Sequence, residues 1–301
     1  MLHRRQFLKQ LGLGTVILGA APRSFPDDEQ IRFCIMGDRT GGAVKGVYER
    51  TVDLIVGEKP EFVINVGDSI EGLRDFWTDI EWVDIKKVWR RYGRIPHYCT
   101  PGNHDIWSAN SERLYRSFTG FEPQYSFTHR HCHITVLDNS RTDETAEDQI
   151  EFLRSDLRQH RDVPLKMVFL HKPFWIVHLM RKNSKFPLHQ ACLEFGVKWV
   201  FSGHLHHLWH LRQDGIEYVS IGSSGGSIKK GVERGEGFSY GWFYHYGVLE
   251  ASADGVKLII KELPVPYGES RVVPIGQWLQ NHPEALVAPD ADAGSQVPTT
   301  V

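Results

Sequence analysis

Five short apolar runs, each about the length of a buried strand, recur along the first two thirds of the chain. They occupy residues 31–36, 62–66, 95–100, 165–170 and 197–201. Apolar runs of this length, bounded by glycine, proline or polar residues, are typical of strands that are buried on both faces of a parallel sheet. The pattern therefore predicts five buried strands.

The segments between these runs carry helical or alternating patterns. Apolar residues with helical spacing predict helices at residues 43–56, 77–92, 111–118 and 145–160. Residues 124–138 predict two strands with a turn near 129–131, and the alternation of His129, His131 and His133 predicts a solvated face. From residue 206 to 262 the pattern is β-rich, with turns at Asp214-Gly215 and Asp254-Gly255. We therefore predict an α/β fold in which two sheets pack together and helices lie outside.

The N-terminal residues form a separate segment. Residues 1–21 combine the charged stretch Arg4-Arg5-Gln6-Phe7-Leu8-Lys9 with an apolar run, and they resemble a twin-arginine signal peptide. This resemblance implies the twin-arginine export machinery as a partner and a periplasmic or secreted location. A basic membrane-anchor start is the alternative, but its apolar run is shorter than the about 20 residues that span a bilayer. Residues 22–30 read as a linker, residues 31–283 as one domain, and residues 284–301, rich in Ala, Asp, Ser and Thr, as a disordered tail.

Charge and cysteine content narrow the class of protein. The chain has 35 Lys and Arg against 37 Asp and Glu. Loss of the signal removes Arg4, Arg5 and Lys9, so 32 basic residues then face 37 acidic ones. A mildly acidic body without a long basic run gives no electrostatic footprint for general nucleic-acid binding. The four cysteines show no C-x-x-C spacing, so we predict buried structural thiols, while their spacing leaves any disulfide pairing open.

Polar side chains that bind metals follow each of the five apolar runs. The segments are Gly37-Asp38, Gly67-Asp68, Gly102-Asn103-His104-Asp105, the single His171, and Gly203-His204-Leu205-His206. Ligand sites in open α/β sheets form outside the carboxyl ends of the strands. Carboxylate, amide and imidazole groups at that edge therefore predict one shared metal site.

The order and spacing of these residues resemble the calcineurin-like metallophosphoesterase superfamily. Its pattern runs D-x-H, G-D, G-N-H-[DE], H and G-H-x-H, and the resemblance covers residues 31–262. The stretch Leu137-Asp138-Asn139 and the helix at 148–157 also resemble purple-acid-phosphatase-like and related small phosphoesterases. The resemblance implies a four-layer αββα sandwich of two mixed β-sheets flanked by helices.

The resemblance also implies a ligand set and a cofactor. Asp68 would bridge two metal ions, Asp38 and His206 would complete the first site, and Asn103, His171 and His204 would complete the second. The cofactor would be one or two divalent or trivalent ions, with Mn, Fe or Zn expected. If the backbone at His204-Leu205-His206 is extended, residues two apart lie on the same face, so one imidazole would reach each ion.

A reaction follows from the same resemblance. A metal-bound hydroxide would attack phosphorus, while His104 would protonate the leaving oxygen or stabilise the transition state. Asp105 would either accept the other ring proton of His104 or cap the following turn. Arg39 would either contact phosphate or form a structural salt bridge. The expected enzyme is an exported phosphoesterase that hydrolyses phosphomonoesters or phosphodiesters of small-molecule or envelope substrates.

One residue departs from the family pattern. The first motif reads Asp38-Arg39-Thr40, with threonine in the position that the family fills with histidine. Threonine is a poor metal ligand, so the first ion would bind more weakly, and a resting state with one metal is expected to be accessible. This substitution motivates an alternative function, in which a non-catalytic or single-metal family member binds a phosphorylated or glycan-like envelope ligand.

Overall fold

The structure is a computed structural model that describes residues 30–228, 241–252, 255–263 and 272–274. These residues form twelve strands and six α-helices. The strands are β1 Ile31–Met36, β2 Val63–Asn65, β3 His97–Cys99, β4 Tyr125–His129, β5 Cys132–Val136, β6 Leu165–Phe169, β7 Trp199–Ser202, β8 Trp209–Gln213, β9 Ile216–Ser220, β10 Tyr244–Ser252, β11 Gly255–Leu263 and β12 Val272–Pro274. The helices are α1 Val47–Gly57, α2 Thr78–Trp89, α3 Ala109–Thr119, α4 Glu147–Gln159, α5 Trp175–Met180 and α6 Pro187–Phe195.

The strands form two mixed sheets. The first has the order β12-β11-β10-β1-β2-β3, in which β1, β2 and β3 are parallel and β10 pairs antiparallel to β1. The second has the order β4-β5-β6-β7-β9-β8, in which β5, β6, β7 and β9 are parallel. The predicted α/β fold with two mixed sheets and flanking helices is confirmed.

Alternation along the strands produces three apolar cores. On β1, Phe33 and Ile35 lie in the core between the two sheets. Cys34 and Met36 point the other way, into a core that contains Val52 of α1 and Trp82 of α2. A third core joins the outer face of the second sheet to helices α4, α5 and α6. Because both faces of each sheet are covered, the central strands contain apolar residues at nearly every position.

The element boundaries follow local backbone chemistry. Helix α1 begins at Val47, later than predicted, because Gly46 adopts a left-handed conformation with φ of 85°. The predicted turn at Asp214-Gly215 joins β8 to β9, and both residues have positive φ. The predicted turn at Asp254-Gly255 falls partly outside the described residues. The predicted signal peptide at 1–21, most of the linker at 22–30 and the tail at 284–301 also lie outside them.

The prediction of a solvated histidine face on β5 is wrong. His133 is fully buried and His131 is 8% exposed. Helix α4 covers this face, and its Asp156 carboxylate contacts the His133 ring at 2.9 Å and accepts a hydrogen bond from Thr135. Buried polar side chains need such partners, so a histidine-threonine alternation that resembles a solvent-exposed face is compatible with a buried one.

The four cysteines are buried and none forms a disulfide, as we predicted for structural thiols. Burial raises the pKa of the Cys34 thiol to about 12 and that of Cys132 to about 12. Within the part of the chain that the structure describes, no helix has both the length and the apolar character needed to cross a bilayer.

Candidate metal centre

The metal-ligand motifs converge because parallel strands deliver them to one edge of the sandwich. Asp38 follows β1, Asp68 follows β2 and Asn103 follows β3 in the first sheet. His171 and His204 follow β6 and β7 in the second sheet. The main chain connects the two sets, because the Val66 carbonyl beyond β2 lies 2.7 Å from the ring of His171.

His171 lies at the centre of the cluster and is fully buried. Its Nδ1 atom donates to the Val66 carbonyl, which orients Nε2 toward two oxygen atoms. Nε2 lies 3.1 Å from Asp68 Oδ2 and 3.1 Å from Asn103 Oδ1. An imidazole nitrogen, a carboxylate oxygen and an amide oxygen within this distance form a suitable donor set for a transition-metal cation.

His204 completes this group. The ligand atoms of Asp68, His171 and His204 all lie within 4.8 Å of one another. The His204 ring meets the His171 ring edge-on, with centroids 5.1 Å apart. The structure therefore brings together Asp68, the carboxylate predicted to bridge two ions, and all three side chains that the sequence predicts for the second metal.

The electrostatics of the group favour a cation. Burial opposes protonation of His171, but the Asp68 carboxylate raises the pKa of His171 to about 9. The same contact outweighs burial and lowers the pKa of Asp68 to about 2. Burial and the neighbouring His171 lower the pKa of His204 to about 3, so this ring is neutral and has a lone pair available for a metal. A cation at Nε2 of His171 would satisfy the acceptors that otherwise hold a proton there.

Asp38 provides an independent test of whether a metal fits. It is fully buried, and its Oδ1 atom accepts a hydrogen bond of 2.8 Å from the His204 amide. Its Oδ2 atom is buried and has no hydrogen-bond partner among the described residues. Burial raises the pKa of Asp38, and the nearby His206 and His171 oppose that rise. A buried carboxylate oxygen without a partner is energetically unfavourable, and a metal ion would satisfy it.

The His206 imidazole is packed between two glycines. A Cβ atom on Gly41 would lie 2.7 Å from the imidazole, and one on Gly226 would lie 2.6 Å from it. The Ser227 carbonyl accepts the hydrogen bond from Nδ1, which leaves Nε2 as the second ring nitrogen. Asp38 and His206 do not join the tight group of Asp68, His171 and His204. The side chains predicted for the first metal are therefore less closely grouped than those predicted for the second.

The condition of an extended backbone at the Gly203–His206 motif is not met. His204 and His206 have φ values of 71° and 53°, both left-handed, and the Leu205 amide donates to the Gly203 carbonyl in a tight turn. Within this turn the His204 amide donates to the buried Asp38 carboxylate. Backbone bending, not strand alternation, separates the two imidazoles.

Two glycines of the motifs are required by close packing around the ligands. Gly67 has φ of 107°, and a Cβ atom there would lie 2.5 Å from Nδ1 of His171. A Cβ atom on Gly102 would lie 2.1 Å from Oδ1 of Asp68. Any larger residue would displace a ligand or the loop that holds it, so the glycines before Asp68 and Asn103 are part of the site.

The two residues that follow Asn103 take different positions. The His104 ring donates from Nδ1 to the Glu71 carbonyl at 2.6 Å, and its main-chain amide donates to Asp68 Oδ1 at 2.9 Å. Asp105 is buried and accepts from the amides of Ser69 and Gly102 at 2.8 and 2.9 Å. Asp105 therefore braces the two loops, and the Glu71 carbonyl, not Asp105, accepts the ring proton of His104. Burial and the Asp68 charge raise the pKa of Asp105 to about 7.

Arg39 is half-buried at the edge of the cluster. Its guanidinium donates to the Ser69 carbonyl at 3.0 Å and lies 5.9 Å from the centre of the Tyr48 ring. These described contacts involve a carbonyl and an aromatic face, and neither neutralises the arginine charge. Thr40 is fully buried, and its hydroxyl lies beside the Glu71 carboxylate, where it helps to lower the pKa of Glu71.

Sequence reasoning missed a residue that positions the central ligand. Asn139 is 1% exposed and lies in the loop after β5. Its Oδ1 atom accepts from the amides of His171 and Lys172 at 3.0 and 3.1 Å, and its Nδ2 atom donates to the Lys172 carbonyl at 2.9 Å. The resemblance of Leu137-Asp138-Asn139 to small phosphoesterases points to this loop, but it does not predict the hydrogen bonds that Asn139 makes.

Comparison with known proteins agrees with this site. The family model for calcineurin-like phosphoesterases matches residues 31–208. The chain therefore belongs to the calcineurin-like phosphoesterase family, and it is a metallophosphoesterase whose cofactor is one or two metal ions. No curated protein sequence shows significant similarity to the chain.

Solved structures share the fold at low sequence identity. A purple acid phosphatase from yellow lupin (Lupinus luteus) seeds is 14% identical with a TM-score of 0.58, and the match covers 83% of this chain but 55% of the lupin protein. A dimetal phosphatase from Danio rerio is 13% identical with a TM-score of 0.54, covering 81% of this chain and 98% of that one. GAP50, the anchor in the inner membrane complex of Plasmodium, is 17% identical with a TM-score of 0.54, covering 90% and 98%.

Proposed function

We propose that this metallophosphoesterase is an exported enzyme that hydrolyses phosphomonoesters or phosphodiesters, with His104 assisting the leaving group. The observation that carries the proposal is the convergence of Asp68, Asn103 and His204 around Nε2 of the buried His171. The unpartnered Oδ2 atom of Asp38 extends this donor set toward a second ion.

The residues divide into metal ligands and a proton donor. Asp68, Asn103, His171 and His204 would hold one ion, and Asp38, Asp68 and His206 would hold the other. A bound ion of this kind lowers the pKa of coordinated water and neutralises charge on phosphoryl oxygens. Because the Glu71 carbonyl accepts from Nδ1 of His104, Nε2 is the ring atom left to face a substrate. A proton held at Nε2 would pass to the leaving oxygen as the ester bond breaks. Arg39 would supply a positive charge at the edge of the site.

The test is a phosphoester screen on metal-reconstituted protein. Bis-p-nitrophenyl phosphate and p-nitrophenyl phosphate would be assayed with Mn²⁺, Fe²⁺ or Zn²⁺, together with a panel of natural monoesters and diesters. We expect turnover that depends on metal. In His104→Ala, turnover of the natural alkyl esters should fall about 10²–10⁴-fold, the range for loss of a general acid, and turnover of the nitrophenyl esters should fall less. Metal content should be unchanged in that variant, since the imidazole of His104 is not among the proposed ligands. Absence of turnover with every metal across the panel would refute the proposal.

A second candidate function is favoured by one observation. The tight ligand group contains neither Asp38 nor His206, and Thr40 offers a hydroxyl where the family has an imidazole. We propose as the alternative a single-metal member that binds a phosphorylated or glycan-like envelope ligand without turnover. The metal content of protein purified from its native compartment, measured by elemental analysis, distinguishes the hydrolase from the binding protein. About two ions per chain favour the hydrolase, whereas one ion or none, with tight ligand binding and no turnover, favours the binding protein.

Export by the twin-arginine route is proposed from the first 21 residues. The paired Arg4 and Arg5, followed by Phe7-Leu8-Lys9 and an apolar run, support it. Fractionation of cells that express the full chain would test it, with Arg4→Lys/Arg5→Lys as the variant. We expect the protein outside the cytoplasm and the double variant retained within it. Equal distribution of both would refute the route.

A further inference from the structure

Exposed apolar side chains are concentrated beside the metal centre. Of the eight large hydrophobic residues that are exposed in the described chain, six lie in two neighbouring segments. We call these six the apolar lip: Val44, Leu73, Phe76, Trp77, Ile80 and Val83. Phe76 is 79% exposed, and Trp77 is 52% exposed. Isolated exposed hydrophobic residues are ordinary on a protein surface, but these six are not isolated, and the rings of Phe76 and Trp77 are in contact.

Glu71 links the two segments of the lip to the site. The Glu71 carbonyl accepts the hydrogen bond from the His104 ring. Its carboxylate accepts a 2.7 Å hydrogen bond from the amide of Ala43, the neighbour of Val44. Leu73 is two residues further along the chain from Glu71. The lip is therefore continuous with the loop that positions the proposed proton donor.

The exposed Leu73 is held in a strained backbone conformation. Gly72 and Leu73 have φ values of 56° and 60°. A left-handed conformation is uncommon for leucine, and strain of this kind accumulates at functional positions. Hydrogen bonds hold the turn, because the Gly72 amide donates to Glu81 Oε2 at 2.8 Å and the Thr78 hydroxyl donates to the Arg74 carbonyl at 2.8 Å. The leucine is held with 52% of its surface in solvent.

The charges around the lip indicate which apolar ligand it suits. Asp75 and Asp79 lie among its residues, and the only basic residue between Leu73 and Val83 is Arg74. On α2, Lys87 pairs with Asp84 at 2.7 Å and Lys86 lies 5.8 Å from the centre of the Phe118 ring, so both cations have partners. Binding of anionic surfaces depends on clusters of unpaired Lys and Arg, which this segment does not contain. Uncharged hydrocarbon is therefore the chemistry that the lip fits.

We propose that the apolar lip binds the hydrocarbon portion of an amphiphilic phosphoester whose phosphate group occupies the metal centre. This inference rests on the proposed phosphoesterase function and specifies its substrate class. The ligand would place its anionic phosphate among the metal ligands and Arg39, and its chain across Leu73, Phe76 and Trp77. A polar head site joined to an apolar surface is complementary to such an amphiphile.

Binding of two non-hydrolysable phosphonates tests the inference without relying on turnover. Methylphosphonate and octylphosphonate would be titrated into metal-reconstituted protein by calorimetry, with octylphosphonate below its aggregation concentration. Each fully buried methylene group strengthens binding about fourfold, so burial of about a quarter of the seven extra groups predicts an advantage of about tenfold for octylphosphonate. Because the contact is apolar, the advantage should be insensitive to salt.

Variants identify the surface responsible. We expect Phe76→Ser/Trp77→Ser to reduce the octyl advantage below about threefold while methylphosphonate binding stays the same, which also shows that the site is folded. Ile80→Ser/Val83→Ser, on exposed positions of α2, provides a second test with the same expected direction. Leu193→Ser on α6 is the matched control, since Leu193 is an exposed leucine outside the lip, and it should keep the full advantage.

The results that would contradict this inference can be distinguished from those that would contradict the phosphoesterase function. Equal binding of the two phosphonates, or an octyl advantage that survives both double variants, would overturn the inference while leaving the phosphoesterase function intact. Absence of binding by both phosphonates, together with absence of turnover in the phosphoester screen, would overturn both proposals. A wild-type dimer that becomes monomeric in Phe76→Ser/Trp77→Ser, measured by light scattering, would assign the lip to a second copy of the chain and overturn the inference.

Discussion

Replacement of Asn139 by alanine tests whether the metal centre depends on a residue that touches no metal. The side chain makes three hydrogen bonds to the main chain of His171 and Lys172 and is 1% exposed. In Asn139→Ala two amides and one carbonyl would lose their partner. Each buried polar group left unsatisfied costs about 1–3 kcal/mol, and a water molecule in the space would recover part of this. We therefore expect a loss of about 3 kcal/mol in the free energy of unfolding.

The effect on metal binding follows from the same contacts. Asn139 fixes the backbone of His171, whose Nε2 must lie within 3.1 Å of Asp68 Oδ2 and of Asn103 Oδ1. Loss of a group that orients a ligand weakens metal affinity about 10–100-fold. Urea unfolding of the apo protein would measure stability, and competition with a chromophoric chelator would measure affinity. Asn139→Asp keeps the acceptor for both amides but not the donor to the Lys172 carbonyl, so it should fall between wild type and alanine.

Asn183 supplies the matched control. Its side chain also accepts from a backbone amide, that of Lys185 at 3.0 Å, but it is exposed to solvent. Because water replaces those contacts, Asn183→Ala should change stability by less than about 0.5 kcal/mol and leave metal affinity unaltered. If Asn139→Ala behaved like Asn183→Ala in both measurements, the argument that Asn139 positions His171 would be refuted.

Three further predictions concern other parts of the site. In His104→Ala the loss of kcat should be larger for an alkyl phosphoester than for a nitrophenyl phosphoester, measured by steady-state kinetics, because a nitrophenolate leaves without protonation. Gly102→Ala should lower metal content measured by elemental analysis, because its Cβ atom would lie 2.1 Å from Oδ1 of Asp68. The apo protein should lose about 3 kcal/mol of stability between pH 6.5 and pH 4 through His245 in urea unfolding, because burial lowers the pKa of this fully buried ring to about 4.

The direction of the His245 effect follows from linkage. Its pKa in the folded state is below that of the unfolded chain, so the unfolded state binds more protons as the pH falls and stability declines. The Nε2 atom accepts from the Gly222 amide at 3.0 Å and cannot do so when protonated. In His245→Gln the decline in stability between pH 6.5 and pH 4 should become shallower by about 3 kcal/mol, and an unchanged slope would contradict the assignment.

The other two predictions have their own controls. Gly57→Ala, where no atom lies within 4 Å of the added Cβ, is the control for Gly102→Ala. If His104→Ala lost kcat equally on the alkyl and the nitrophenyl phosphoester, this would argue against proton donation by His104.

The second half of the sandwich shows where pattern reasoning fails. Strand β5 alternates apolar residues with His133 and Thr135, which is the pattern of a sheet with one solvated face. The structure buries both faces because α4 supplies Asp156, which accepts from Thr135 at 2.6 Å and contacts His133 at 2.9 Å. Asp156 is 21 residues or more from these side chains in sequence. A local alternation shows which residues are polar, but it does not show which element packs against the polar face.

What the sequence determined by itself was the set of buried strands and the residue types at their carboxyl ends. Apolar runs specify strands locally, and parallel strands must present their following residues at a shared edge, so the convergence of Asp68, Asn103, His171 and His204 was predictable. Tertiary structure alone decided the rest. The left-handed turns at His204 and His206, the three hydrogen bonds from Asn139 and the outward direction of Leu73 all depend on contacts between segments that are distant in the chain. Such contacts set backbone angles and hydrogen-bond partners, and neither quantity is encoded by the local order of polar and apolar residues.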